Sequence, residues 1–506
     1  LDRWLDGLAA AGAVLAAVAL VRGGASAWQL LALWALYHSI NAVGQRWYSF
    51  GWEAQLLETG LLALLAAPAG LLGSAVPGAA LPTGAPVPSI AVWAFRWMAF
   101  RIMLGAGLIK LRGAKCWLDL TAMCHHLETQ PIPNPLTRSF HLVPRPLLLF
   151  ATASNHVIEL FAPWLLLLPF RPFQAAFGAT HLVFQLTLIL TGNLSFLNWL
   201  TVVPGLWCFD DAMLVGLLPE ALAAPIARAV VEAAAATSAQ QGGTLDPRLV
   251  AFLGSARSLL AFAIIAWLST PVWANLLGPR GGGRQRMNSS FERRVTLPGW
   301  LTRALRLKAR APLVEPTVSD EKQLQLSQAQ KRRRLDGSED DAISVDLRSL
   351  RLLNTYGAFG SVNKERVEIV FEGWDGVQGE WRPYTFKAAV DDPYKRPRWL
   401  APYHLRLDWC RWIASCRGRR ANGLEEQWVL AFVGKLLLGD QGTRRLLARG
   451  GDPFEGSSPP SRIRAGLYLY TFAPPPLKAE DPYWLRQRVG EYLPPLTLRE
   501  LAPKLL

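Results

Sequence analysis

Charge-poor apolar runs recur through the first 278 residues, at 7–22, 26–42, 54–74, 89–111, 147–169, 173–191, 196–218 and 249–277. A helix needs about 20 apolar residues to cross the hydrocarbon layer of a bilayer. Only helices and closed barrels can span that layer, because an unpaired backbone group finds no water there. Eight such runs in succession point to a polytopic helical bundle rather than a soluble all-helical core. The first two are the weakest, one being rich in Gly and Ala and the other short.

Charge divides the chain at the same place. Residues 1–278 carry 14 Lys+Arg against 12 Asp+Glu, whereas the remainder carries 39 against 26, so nearly all of the +15 net charge lies in the second part. Residues 279–348 read as a linker. "GPRGGGRQR" opens it, and "SDEKQLQLSQAQKRRRLDGSEDDAISVD" has too little apolar surface to offset the entropy of ordering. "KRRR" at 331–334 is a solvated charge run, and no nucleic-acid partner is expected.

From about 349 the pattern shortens to strand-like alternation. "RVEIVFEG" (366–373), "WRPYTFKAAV" (381–390) and "RAGLYLYTF" (464–472) read as strands of a small antiparallel sheet. "LRLDWCRWIAS" (405–415) and "EEQWVLAFVGKLLLG" (425–439) have helical spacing with one apolar face. The expected fold is a polytopic α-helical membrane bundle over 1–278, followed by a smaller soluble, strand-rich α+β domain over 349–506.

Ionisable groups at membrane depth are costly, so they are paired or functional. Arg96, Arg101, Asn155, His156, Glu159, His181, Asp210 and Asp211 all fall within candidate spans, with Lys110 and Arg112 near the end of one. On a helix Asn155 and Glu159 share a face, as do His181 and Gln185. Two readings compete. In one, the residues are joined in interhelical hydrogen bonds and pairs, such as Arg96 or Arg101 with Glu159 or Asp210. Alternatively, His156, Glu159, His181 and Asp210 converge as the site of a membrane enzyme or redox protein. The packing reading is preferred.

Between two apolar runs lies "KCWLDLTAMCHHLETQPIPNP" (115–135), with two cysteines, two histidines and two acids. Adjacent His125 and His126 point apart on a helix, and no second ligand pair follows at a zinc spacing, so neither a metal nor a cofactor is expected. Cys116 and Cys124 are candidates for a disulfide if the loop faces an oxidising lumen, or else small buried residues.

This block, extended to "GLIKLRGAKCWLDLTAMCHHLETQPIPNP", resembles the signature of the lipase maturation factor family. So do "SNHVIELFAPW" (154–164), "GNLSFLNWLTVVP" (192–204), "CFDD" (208–211), "NTYGAFGSVNKERVEIVFEG" (354–373) and "DDPYKRPRWLAPYHLRLDWCRW" (391–412). The resemblance implies a multi-pass endoplasmic-reticulum membrane protein without a defined reaction of its own. It would assist folding, assembly and maturation of secretory clients, lipases among them. It also implies a luminal C-terminal domain, although Arg280, Arg284, Arg286, Arg293 and Arg294 after the last span favour the cytosolic side by the positive-inside rule. A luminal placement makes Asn288, in Asn-Ser-Ser, a candidate glycosylation acceptor; Asn193, in Asn-Leu-Ser, sits too close to the membrane. A client-binding role predicts exposed aromatic surface, for which Tyr356, Tyr403, Trp409 and Trp412 are the candidates.

Overall fold

A computed structural model describes residues 2–22, 24–67, 87–210, scattered positions between 213 and 231, 247–277, 294–296, 344–346 and 350–505. The helical half contains α1 (Asp2–Arg22), α2 (Ala27–Val43), α3 (Gly51–Ala66), α4 (Ser89–Leu111), the short α5 (Lys115–Leu118), α6 (Met123–Thr129) and α7 (Thr137–His141), then α8 (Arg145–His156), α9 (Arg171–Thr191), α10 (Leu197–Leu206), α11 (Pro247–Leu268) and α12 (Thr270–Leu277). α4 is the hub and touches α3, α10, α11 and α12. Its small residues Gly105, Ala106 and Gly107 let neighbours approach closely.

Among the described residues, four helical segments are long and apolar enough to cross a membrane: Asp2–Arg22, Ser89–Leu111, Arg171–Thr191 and Ser258–Asn275. The other expected spans differ for local reasons. Run 147–169 is not one helix: after α8 the backbone widens to a π turn at Val157–Phe161 and tightens to a 3₁₀ turn at Ala162–Leu167, which contains Pro163. Run 196–218 holds the ten-residue α10, which contains Pro204 and ends two residues after it. Helix α3 begins before run 54–74 and buries Glu53, Gln55 and Glu58. On α9, Val183, Leu186 and Leu190 form an exposed apolar stripe at helical spacing, a surface suited to lipid.

The C-terminal half is built on β3 (Arg366–Asp375), β4 (Glu380–Pro383), β5 (Ile463–Phe472) and β6 (Trp484–Leu496). They form an antiparallel sheet in the order β4-β3-β5-β6. Helices α13 (Arg406–Ser415), α14 (Gln427–Leu437), the short α15 (Gln441–Arg444) and α16 (Leu498–Leu505) complete it. Val367, Ile369 and Phe371 of β3 alternate toward Val429, Phe432 and Val433 of α14 in one apolar core. Strand 381–390 is corrected: β4 ends at Pro383, and beyond it only an isolated bridge pairs Phe386 with Leu447. Within 279–348 the described residues are two short strands, β1 (Arg294–Thr296) and β2 (Ser344–Asp346), paired antiparallel.

Candidate functional site

The polar residues of the bundle and the motif residues of the C-terminal half meet in one seam. At its centre Glu58 of α3 pairs with Arg101 of α4, both side chains being buried. Arg101 Nη1 donates to the Asn354 carbonyl at 2.7 Å. Glu58 Oε2 accepts from the Asn354 N–H (2.9 Å), Asn354 Nδ2 (3.0 Å) and Tyr356 Oη (2.7 Å). A buried ion pair needs such extra hydrogen bonds to offset its lost hydration. The segment "NTYGAFG" is thus a strap lying inside the bundle. It fits because α4 and its exit carry glycines: a Cβ on Gly105 would collide with the Tyr356 carbonyl, and one on Gly113 with the Gly360 carbonyl. The Ala114 N–H donates to that same Gly360 carbonyl at 2.7 Å, and Trp117 Nε1 donates to the Phe359 carbonyl at 2.9 Å.

A second node lies where the π turn presents Glu159. Lys110 Nζ reaches Glu159 Oε1 at 2.5 Å and Asn155 Oδ1 at 2.9 Å, and sits 4.8 Å from the Trp117 ring centroid. His156 Nε2 lies 2.9 Å from the Trp117 carbonyl.

The third node answers what "HLETQPIPNP" does. Arg366, at the start of β3, donates to the carbonyls of Glu128 (2.8 Å), Gln130 (2.6 Å) and Pro131 (3.1 Å). These are carbonyls released by the end of α6, which a cation at a helix C-terminus satisfies. Arg366 also pairs with Glu368 at 2.6 Å, and Arg411 of α13 meets Glu368 at 2.8 Å. Burial pulls the Arg366 pKa down, and the Glu368 carboxylate opposes that shift. Glu128 in turn accepts the Phe472 N–H at 2.8 Å. Asn134 Oδ1 accepts the N–H groups of Leu136 and Thr137, each at 3.0 Å, at the entry to α7. A fourth contact joins Glu53 of α3 to Arg406 at 3.1 Å, with His404 Nδ1 3.7 Å away inside a cage of Phe50, Trp52 and Trp409 rings.

Two family models match this chain: the lipase maturation factor transmembrane domain over residues 1–216 and the lipase maturation factor C-terminal domain over residues 352–494. The chain belongs to the lipase maturation factor family. Lipase maturation factor 1 of Bos taurus is 39% identical across 99% of this chain and 77% of its own length. The Mus musculus protein of that name is 38% identical across 98% and 75%. Lipase maturation factor 2 of Gallus gallus is 26% identical across 91% and 67%. No solved structure matches the chain. It is a membrane protein, as the family's transmembrane domain and the candidate spans establish.

Among the described residues, the polar groups expected at membrane depth are bonded, but with other partners than expected. Arg101 joins Glu58, and Glu159 joins Lys110. Asp210 meets Arg171, whose Nε lies 2.7 Å from it at an exposed position. Arg96 donates to the Trp207 carbonyl at 3.0 Å, and His181 Nε2 lies 2.8 Å from the Thr201 carbonyl. Thus His156 and Glu159 share the node around Lys110 and Trp117, whereas His181 and Asp210 are bound to other partners, Thr201 and Arg171. Asp211 and Asn288 lie outside the described residues. Asn193 is buried, with both ends of its amide bonded to backbone.

Of the four aromatics expected to face clients, two are buried and a third is half-buried. Tyr356 and Trp409 are buried, and Trp412 packs beside Trp409 while its Nε1 donates to the Thr129 carbonyl at 3.0 Å. Only Tyr403 is exposed. Cys116, which is buried, and Cys124 are free thiols in the structure, without the expected disulfide between them. Among the described residues no group of three or more His, Cys, Asp or Glu side chains is placed to hold a metal ion. Glu58 was missed by sequence reasoning. Its signal was the run Glu53, Gln55, Glu58 in an otherwise apolar helix.

Proposed function

We propose that this protein is an endoplasmic-reticulum membrane factor that assists folding, assembly and maturation of secretory proteins, with lipases as its clients. Family membership and the names of its relatives support the maturation role. The observation that carries the reading is the seam. The family-like motifs are spent on fastening a folded domain to a membrane bundle. Their ionisable side chains are consumed by one another and by backbone groups, rather than gathered around an open cavity. Such an assembly presents a fixed surface at the membrane, which suits holding a client better than transforming a small substrate. The C-terminal domain faces the lumen in this account, where secretory clients fold.

The test is rescue. The full chain is expressed in cells that lack their own lipase maturation factors, together with a secreted lipase. The expected result is restored specific activity of the secreted enzyme, and glycosylation of an acceptor tag placed after Leu506. Lipase activity no higher than with empty vector, with the factor present in the endoplasmic reticulum, would overturn the proposal.

A further inference from the structure

The loop that follows β4 passes beside the end of a membrane helix. α9 ends at Thr191, and Asn193 is buried just beyond it. The Asn193 amide donates to the carbonyls of Pro133 (3.0 Å) and Arg398 (2.7 Å), and its oxygen accepts the N–H groups of Leu400 (3.0 Å) and Ala401 (3.1 Å). Residues 398–401 are therefore pinned beside the C-terminal end of α9. Around this pin three aromatic side chains stand out from the surface: Tyr394 (62% exposed), Trp399 (51%) and Tyr403 (69%). They are interleaved with Lys395, Arg396 and Arg398. The exposed apolar stripe of α9 ends with Leu190, immediately before the pin. Beside it lies a small, shallow depression bordered by Pro133, Lys387, Arg398 and Trp484.

Trp and Tyr combine an apolar body with a polar tip and concentrate at the headgroup level of membranes. Basic side chains beside them are drawn to anionic headgroups. We propose that the 394–403 loop is an interfacial anchor that lies in the headgroup layer, with Tyr394, Trp399 and Tyr403 among the lipids and Lys387 and Arg398 toward lipid phosphate. The sheet domain then rests on the bilayer through this loop as well as through the seam. The inference rests on the membrane placement of α9 and is independent of the client reading. A protein client is the competing occupant. The attachment to a helix end and the mixture of aromatic and basic residues favour lipid.

The full chain is reconstituted in nanodiscs with a fluorescent amino acid at position 399, and separately at Val377, a fully exposed site on the β3–β4 turn. Nitroxide-headgroup lipid is the quencher. The expected result is loss of emission at 399 and retained emission at 377, with stronger quenching when anionic lipid carries the nitroxide. Lys387→Gln with Arg398→Gln should remove that anionic increment. Equal emission at 399 and 377 would overturn the anchor, and a change at 399 on adding purified lipase instead would assign the loop to a client. An anionic increment untouched by the double substitution would overturn the phosphate contact.

Discussion

Glu58 and Asn354 lie 296 residues apart and are joined by two hydrogen bonds, from the Asn354 N–H and from its Nδ2, to the same carboxylate oxygen. This contact ties the third helix of the bundle to the strap that leads into the sheet domain. Because Arg101 completes it, neither half of the chain satisfies these groups alone.

Removing one member strands the others in a dry site. Glu58→Gln leaves Arg101 charged and unneutralised, and Arg101→Met leaves a lone carboxylate. Each should cost about 3–5 kcal/mol, the usual penalty for breaking a buried pair. Thermal unfolding in detergent, followed by aggregation, should show a lower midpoint for both. A midpoint equal to wild type would remove this node from the account.

Glycines at the strap predict a reversal of helix propensity. In a helix interior Gly105→Ala should gain about 1 kcal/mol from propensity alone. Here the new Cβ meets the Tyr356 carbonyl, a backbone atom that cannot rotate away. The net effect should be destabilising, by about 1–3 kcal/mol as for other overpacked sites. Gly113→Ala should act in the same direction at Gly360. Protease nicking of residues 350–360 reads it directly.

All five cysteines should react with maleimide in denaturant without prior reduction, because the structure holds each as a free thiol. A mass short of two labels, restored by reduction, would place a disulfide that the structure lacks.

Acid should loosen the seam. Burial, reinforced by nearby Lys110, holds the His126 pKa down at about 4, and burial also lowers His404, against the opposing pull of Glu53. The unfolded chain binds these protons from about pH 6.5. Stability is therefore complete above that pH and declines as pH falls toward 4. Unfolding midpoints between pH 7 and 4 should fall, and His126→Gln should flatten part of the slope.

Much of the architecture was legible because it rests on local periodicity. The span at 89–111 is α4, residues 366–373 lie within β3, and the helices expected at 405–415 and 425–439 match α13 and α14. β6 was not read, because Leu485 to Arg488 are mostly polar and exposed, and Pro494 and Pro495 resemble a loop. The seam was only partly legible. Lys110, Asn155 and Glu159 stood out as polar groups in apolar runs, but their pairing depends on a π turn that places Glu159. Tyr356, Trp409 and Trp412 looked like a binding surface because a sequence shows each half separately. In the folded chain Tyr356, Trp409 and the half-buried Trp412 each pack against residues of the helical half.

The central claim is that this joint, rather than a reactive centre, underlies activity. The direct measurement is secreted lipase activity in factor-deficient cells carrying Arg366→Met or Glu58→Gln at matched abundance, with proteolysis at 350–360 read on the same samples. The account predicts that lipase activity falls as the strap becomes cleavable. Full lipase activity from a variant whose strap is freely cleaved would contradict it.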